Sequence, residues 1–166
     1  MSPVMFGPRG AMLALVAVML TVAAPTARAD STREDPAPAP AAAPAMSLDA
    51  AQKRINAGDF HGALPILTAI TQKDPNNADA LNLMGYSLRK TGQTDLALQY
   101  YNRALSLMPK HLGANEYLGE LYVELGQMDK ARERLAVLQA ACGNCEQTQD
   151  LAAFIQKGPG AKARSW

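Results

Sequence analysis

Residues 78–111 read ADALNLMGYSLRKTGQTDLALQYYNRALSLMPKH, and the spacing inside this stretch decides the fold. Leu81, Met84-Gly85 and Leu88 fall at helical intervals, and Ala97, Tyr101 and Ala104 repeat the pattern after Gly92. Pro109 closes the stretch because proline cannot continue a helix. The same markers return 34 residues away on either side: Gly58, Gly92 and Gly126 form one series, and Ala63, Ala97 and Ala131 another. Gly85 is matched by Gly119, and Pro75 by Pro109. A period of this length with small residues at fixed offsets marks a repeated helix–turn–helix unit.

Each marker has a physical task. Gly85 lets two helices approach closely, Leu88 and Tyr101 fill the space between them, and Gly92 supports the tight turn. The copy that follows keeps Leu118-Gly119, Tyr122, Gly126, Ala131 and Leu135, then departs with Leu138 and Gly143. The copy that precedes keeps Gly58, Ala63, Leu67, Ile70 and Pro75, but has Ala50-Ala51 in place of Leu-Gly. It also carries Pro65 near the start of its second helix, which costs one backbone hydrogen bond and a small bend. Over residues 44–143 the pattern resembles the tetratricopeptide repeat family. The resemblance implies an all-α solenoid of about three repeats, near 44–77, 78–111 and 112–145. Helices are expected at 47–57, 60–73, 78–91, 94–107, 112–125 and 128–141. A seventh at 146–157 sets Leu151, Phe154 and Ile155 on one face to cover the apolar end of the stack.

The flanks read differently. Arg9, the apolar run Ala11 to Val22 and the Ala27-Arg28-Ala29 site form a secretory signal peptide over 1–29. The run is too short for a membrane span, which needs about 20 residues. The mature chain is expected to begin at Asp30, in a bacterial periplasm and without stable membrane insertion. Residues 30–46 form a Pro/Ala-rich linker, in which Pro36 to Pro44 favours a polyproline conformation. Residues 158–166 form a short Gly/Pro-rich tail. Cleavage removes Arg9 and Arg28 and no acid, taking the formal net charge from +1 to −1. That balance excludes nucleic acid as the expected partner, since such domains are strongly basic.

Both cysteines lie together in Cys142-Gly143-Asn144-Cys145. Export favours a disulfide between them, worth roughly 2 kcal/mol in the chain-entropy view of so small a ring. A redox centre and a metal site shared with other ligands are the competing readings. Covalent haem is excluded because Glu146 stands where the motif needs His. Other exported members of the family carry similar pairs before a Leu-containing helix, which implies a structural role.

In the family, the first helix of each repeat lines a concave groove. The resemblance therefore implies groove positions at Leu48, Gln52, Ile55 and Asn56, at Asp79, Asn82, Tyr86, Arg89 and Lys90, and at Gly113, Glu116, Glu120, Val123 and Glu124. Glu116, Glu120 and Glu124 share one helix face. They offer an acidic stripe for a basic peptide, or a solvated face partly neutralised by Arg89 and Lys90. The Lys/Asn/Arg set with which some members clamp a chaperone's C-terminal carboxylate is replaced here by Leu48, Gln52, Leu83, Gly113 and Tyr117. No nucleophile elbow, zincin helix, phosphate loop or dinucleotide fingerprint occurs. His61 and His111 are expected at surface turns. A helical repeat surface is not expected to raise a carboxyl pKa, and no enzyme activity or cofactor is expected. The expected function is an exported scaffold that binds a protein or peptide, of the envelope or pilus assembly class. The alternative is redox or metal handling by Cys142 and Cys145. The weak first repeat leaves apolar surface on which chains could self-associate.

Overall fold

A computed structural model of the protein describes residues 46–160. The expected signal peptide, the linker up to residue 45 and residues 161–166 of the tail lie outside the described residues. Among the described residues there are seven helices: α1 (Leu48–Asn56), α2 (Phe60–Lys73), α3 (Ala78–Lys90), α4 (Thr94–Leu107), α5 (Leu112–Glu124), α6 (Met128–Cys142) and α7 (Glu146–Lys157). Each lies within one residue of the bounds that the 34-residue period predicts. Helix α2 passes through Pro65 unbroken, with the ring exposed.

The helices stack in two layers. Helices α1, α3 and α5 lie side by side, and α2, α4 and α6 sit behind them, with α2 and α4 each touching the front helices before and after it. Helix α7 packs on both α5 and α6, in the place a fourth front helix would take. Every front helix of the three repeats starts from a side-chain cap. Ser47 accepts from Ala50 N–H, Asn77 from Ala80 N–H and His111 Nδ1 from Ala114 N–H. His111 also meets Asp79 through Nε2 at 3.0 Å, so it joins two repeats and is not the simple surface residue that its turn position predicts. Each front helix ends the same way. Gly58, Gly92 and Gly126 adopt φ of 75°, 81° and 71°, a region that residues with a Cβ rarely enter. The next amide then reaches back five residues: Asp59 to Arg54, Gln93 to Leu88 and Gln127 to Tyr122. This satisfies carbonyls that the helix end would leave bare. The 34-residue glycine series is thus a series of identical hairpin turns.

The core runs without a break from Ala51 and Ile55 in α1 to Leu118 and Leu121 in α5. A smaller cluster of Val123, Ala131 and Phe154 closes the far end. Two glycines set how tightly the layers meet. A Cβ on Gly85 would lie 2.7 Å from the Tyr101 ring, which is itself fully buried. A Cβ on Gly119 would lie 2.5 Å from a Leu151 methyl. Leu135, at the family's large-residue position in the third repeat, is only half-buried, and the α7 side chain Leu151 fills the notch instead. Full burial of such a leucine is worth about 1.5–3 kcal/mol. Cys142 ends α6 and Cys145 stands at the cap position of α7, and their sulfurs lie 2.02 Å apart, at bonding distance.

The two glycines should respond differently to alanine. Alanine gains about 1 kcal/mol of helix propensity, whereas overpacking a rigid ring costs about 1–3 kcal/mol. Gly85→Ala should therefore lose about 1–2 kcal/mol in urea denaturation. Gly119→Ala presses only on the end of a flexible leucine, so its denaturation midpoint should stay nearer wild type. The α7 amides should then exchange faster with deuterium, because Leu151 is what seats that helix.

Candidate functional site

The front layer carries the open surface of the array. A cleft of about 370 Å³ is lined by Gln52, Ile55 and Asn56 of α1, Leu83 and Tyr86 of α3, and Tyr117 of α5. A second, of about 300 Å³, shares Gln52, Leu83 and Tyr117 with it and extends over Leu48, Asp49, Asp79 and Asn82. Together they form one groove along α1 and α3, with Tyr117 as its far wall. The Tyr86 and Tyr117 rings are 4.6 Å apart, and Phe60 meets Tyr86 edge-on at 5.9 Å. Tyr86 and Tyr117 give the groove an aromatic floor, and Phe60 packs against it.

Asn82 supplies the polar feature. It is only 6% exposed, and its Oδ1 is buried without a hydrogen-bond partner among the described residues. A buried, unsatisfied amide oxygen is costly, by about 1–3 kcal/mol. Gly113 makes the space for this amide: a Cβ there would lie 3.1 Å from Asn82 Nδ2. The helix α5 glycine is therefore part of the groove through what it leaves room for.

The acidic stripe lies elsewhere. Arg89, 7% exposed, reaches from α3 to α5 and donates to Glu120 Oε2 at 2.7 Å. It also takes Glu124 with two parallel bonds, Nη2 to Oε1 at 2.8 Å and Nε to Oε2 at 3.0 Å. Phe154 of α7 covers the guanidinium at 5.9 Å. Burial alone would weaken the Arg89 charge, but the Glu124 hydrogen bond and the charges around it raise its pKa above the ordinary value. Glu120 is pushed up by burial and drawn back by Arg89. Lys90 is lowered, by burial and then by Arg89, and its ammonium stands 5.2 Å from the Tyr86 ring.

Of the predicted groove residues, the structure brings Gln52, Ile55, Asn56, Asp79, Asn82 and Tyr86 to the clefts. It assigns Arg89, Glu116, Glu120 and Glu124 to the contact between α3, α5 and α7. The reading of Glu116, Glu120 and Glu124 as a row facing a ligand is thereby corrected: two are spent on Arg89 and the third is buried. The clefts lie toward the first repeat, over α1 and α3. Leu83 and Tyr117 were singled out in the sequence only as positions where clamp residues are missing, yet both line the groove.

Glu116 corrects a further expectation. It is 4% exposed, and burial, Glu120, Asp150 and Glu146 together push its pKa up to about 8. The protonated carboxyl is thus the folded form at neutral pH. Because the folded pKa is raised from 4.5, this contribution to stability is complete below about pH 4.5 and is lost as pH rises through about 8. Glu116→Gln mimics the neutral acid. Its melting temperature should match wild type near pH 5 and exceed it at pH 8.5 by several degrees, since about 1 kcal/mol moves a domain of this size by roughly 4–8 °C. Thermal melts across pH 5–9 check this, and parallel curves would remove Glu116 as the titrating group.

Comparison with known proteins agrees with the geometry. Two family models, each described as tetratricopeptide repeat, match residues 48–111 and 88–153, and together they span α1 to α7 up to residue 153. The chain is 33% identical over 91 residues to general transcription factor 3C polypeptide 3 of Homo sapiens, covering 54% of this chain and 10% of that protein. It is 30% identical over 134 residues to the tetratricopeptide repeat and J domain-containing co-chaperone DNJ1 of Fusarium oxysporum f. sp. lycopersici, covering 81% of this chain and 25% of that one. The chain thus spans a quarter or less of the length of these relatives. The type III secretion chaperone SycD of Yersinia enterocolitica, solved with a peptide of the translocator YopD, shares the fold at a TM-score of 0.57 and 18% identity, over 66% of this chain and 83% of that one. The chain belongs to the tetratricopeptide repeat family.

Proposed function

We propose that this protein is an exported scaffold of the bacterial envelope or pilus assembly class, which holds an extended segment of a protein partner in the groove between α1 and α3. A tetratricopeptide array is a protein–protein interaction module, and such stacks bind along their concave layer. The observation that carries the reading is the open groove itself, in which Leu83, Tyr86 and Tyr117 lie beside Gln52, Asn56 and Asn82. The apolar faces of Leu83 and Tyr117 would take the peptide's side chains, and the exposed amides of Gln52 and Asn56 would meet its backbone. Leucine, glutamine and tyrosine where related clamps use charge point to a ligand recognised along its length and not by a terminal carboxylate. That SycD has been solved with a peptide supports the same use of the fold. The module carries out no chemical step of its own in this reading.

Binding should be measured on an array of extended peptides of about ten residues. Asn82→Ala and Tyr117→Ala should each weaken the best binders at least about tenfold, the scale of a groove anchor, with helicity retained by circular dichroism. Glu133→Ala, on the opposite layer, should bind as wild type. Unchanged binding in both groove variants would falsify the groove assignment.

Export and the disulfide are part of the same proposal. The protein recovered from the periplasm without reductant should titrate with no free thiol. Two free thiols, or bound zinc or copper in stoichiometric amount, would favour redox or metal handling by Cys142 and Cys145.

A further inference from the structure

Helix α6 ends and α7 begins at one corner, and both cysteines stand on it. Cys142 is the last residue of α6 and Cys145 the cap of α7. Gly143, at φ 67°, makes the turn that lets the two sulfurs meet. Gly143 and Asn144 are exposed and both cysteines are half-buried, so a reagent can reach the corner from solvent. Thr148, in the first turn of α7, is only 5% exposed. Its hydroxyl touches both sulfurs, 3.4 Å from Cys145 Sγ and 3.6 Å from Cys142 Sγ.

The two sulfurs do not share the same surroundings. Cys145 stands at the N-terminal end of a 12-residue helix, where amides and dipole favour negative charge. Thr148 Oγ1 is placed to donate to a thiolate there. Cys142 Sγ lies in the last turn of α6, 3.4 Å from the Leu138 carbonyl oxygen. A carbonyl oxygen accepts from a thiol and repels a thiolate, and the C-terminal end of a helix does the same. Glu146 and Asp150 on α7 oppose any thiolate at this corner, and so does Glu116 of α5 whenever it ionises. Helix α6 has no charged residue after Arg134. The acids therefore temper the effect, while the contrast between the two helix ends remains. Once the pair opens, Cys145 holds the negative charge and Cys142 the proton.

We propose that this corner is a thiol–disulfide exchange site with a fixed direction, in which a substrate thiolate attacks Cys142 Sγ and Cys145 Sγ leaves. The inference goes beyond the binding function and rests on the disulfide proposed with it. In the first step a bond forms between the substrate sulfur and Cys142 while the Cys142–Cys145 bond breaks. Its electron pair goes to Cys145, where the α7 end and Thr148 receive the charge, and a better-stabilised thiolate leaves faster. A second thiolate of the same substrate then attacks the first substrate sulfur and displaces Cys142. Of the substrate's two protons, one goes to Cys142 and the other to solvent. The substrate class is a dithiol, such as two cysteines of an extended polypeptide. It is oxidised to a disulfide as the pair is reduced.

The test treats the full oxidised protein with excess glutathione, quenches with acid and locates the adduct by fragment mass spectrometry. Glutathione should sit on Cys142 at least about fivefold more often than on Cys145. At neutral pH, Cys145 in Cys142→Ser should react with iodoacetamide at least about fivefold faster than Cys142 in Cys145→Ser. Adding Thr148→Val to Cys142→Ser should slow Cys145 about threefold, the scale of one hydrogen bond. Thr148→Ser, which keeps the hydroxyl, should restore the rate. Equal labelling of the two sulfurs, or glutathione chiefly on Cys145, overturns the inference. So does a Cys145 rate that ignores the Thr148 hydroxyl. If the disulfide is present and glutathione does not open it, the exchange site falls and a structural link stands. If the protein leaves the periplasm with two free thiols, the disulfide falls and the inference with it.

Discussion

A buried guanidinium holds the third helix of this array to the fifth. Arg89 crosses from one repeat to the next and is met by Glu120 and by both oxygens of Glu124, with Phe154 closing over it. Taking those charges out of water costs several kcal/mol, and their attraction does little more than offset it. What the arrangement supplies is registry. A two-bond fork tolerates little sliding between α3 and α5, so the second and third repeats meet at one angle and offset. The aromatic floor of the groove follows from that offset, because Tyr86 and Tyr117 sit on the same two helices, one turn before the ion pairs. Removing Arg89 would leave Glu120 charged in the interior, a far larger loss than the pair contributes.

The front helices also explain why one carboxyl is left over. Glu116, Glu120 and Glu124 lie on one face of α5, and Arg89 can reach only the latter two. Glu116 is left beside the acids of α7 and responds by holding its proton. A row that looks uniform in the sequence is therefore divided into an ion-pair network and a neutral acid.

Much of the fold was legible because it depends on local rules. The glycine series fixes the left-handed turns, the alanine series fixes close packing, and both depend on chain chemistry within a single repeat. The site was legible only in part. Family positions say which side of a front helix a residue occupies, and for Asn82, Tyr86 and Gln52 that is enough. They do not say what the next helix places against that side. Arg89 satisfies the Glu120 and Glu124 row from 31 and 35 residues away, and Leu151 fills the Gly119 notch in place of Leu135. The groove lies toward the first repeat for the same reason. Helix α7 covers α5 from the far side, whereas α1 has no helix before it among the described residues.

The position of α7 has a consequence for how the chain assembles as it is made. Most contacts in the array join helices that are neighbours in sequence, and the rest join helices two apart, so folding can follow emergence from the N-terminus, hairpin by hairpin. The notch at Gly119 is filled last. It stays empty until Leu151 appears, and Phe154 completes the Arg89 chamber only after that. During this interval the nascent array presents Val123 and an uncovered charge network at its growing end. The last dozen residues of the helical array therefore close it: until they dock, its growing end stays open, and afterwards Leu151 fills the notch and Phe154 covers the guanidinium.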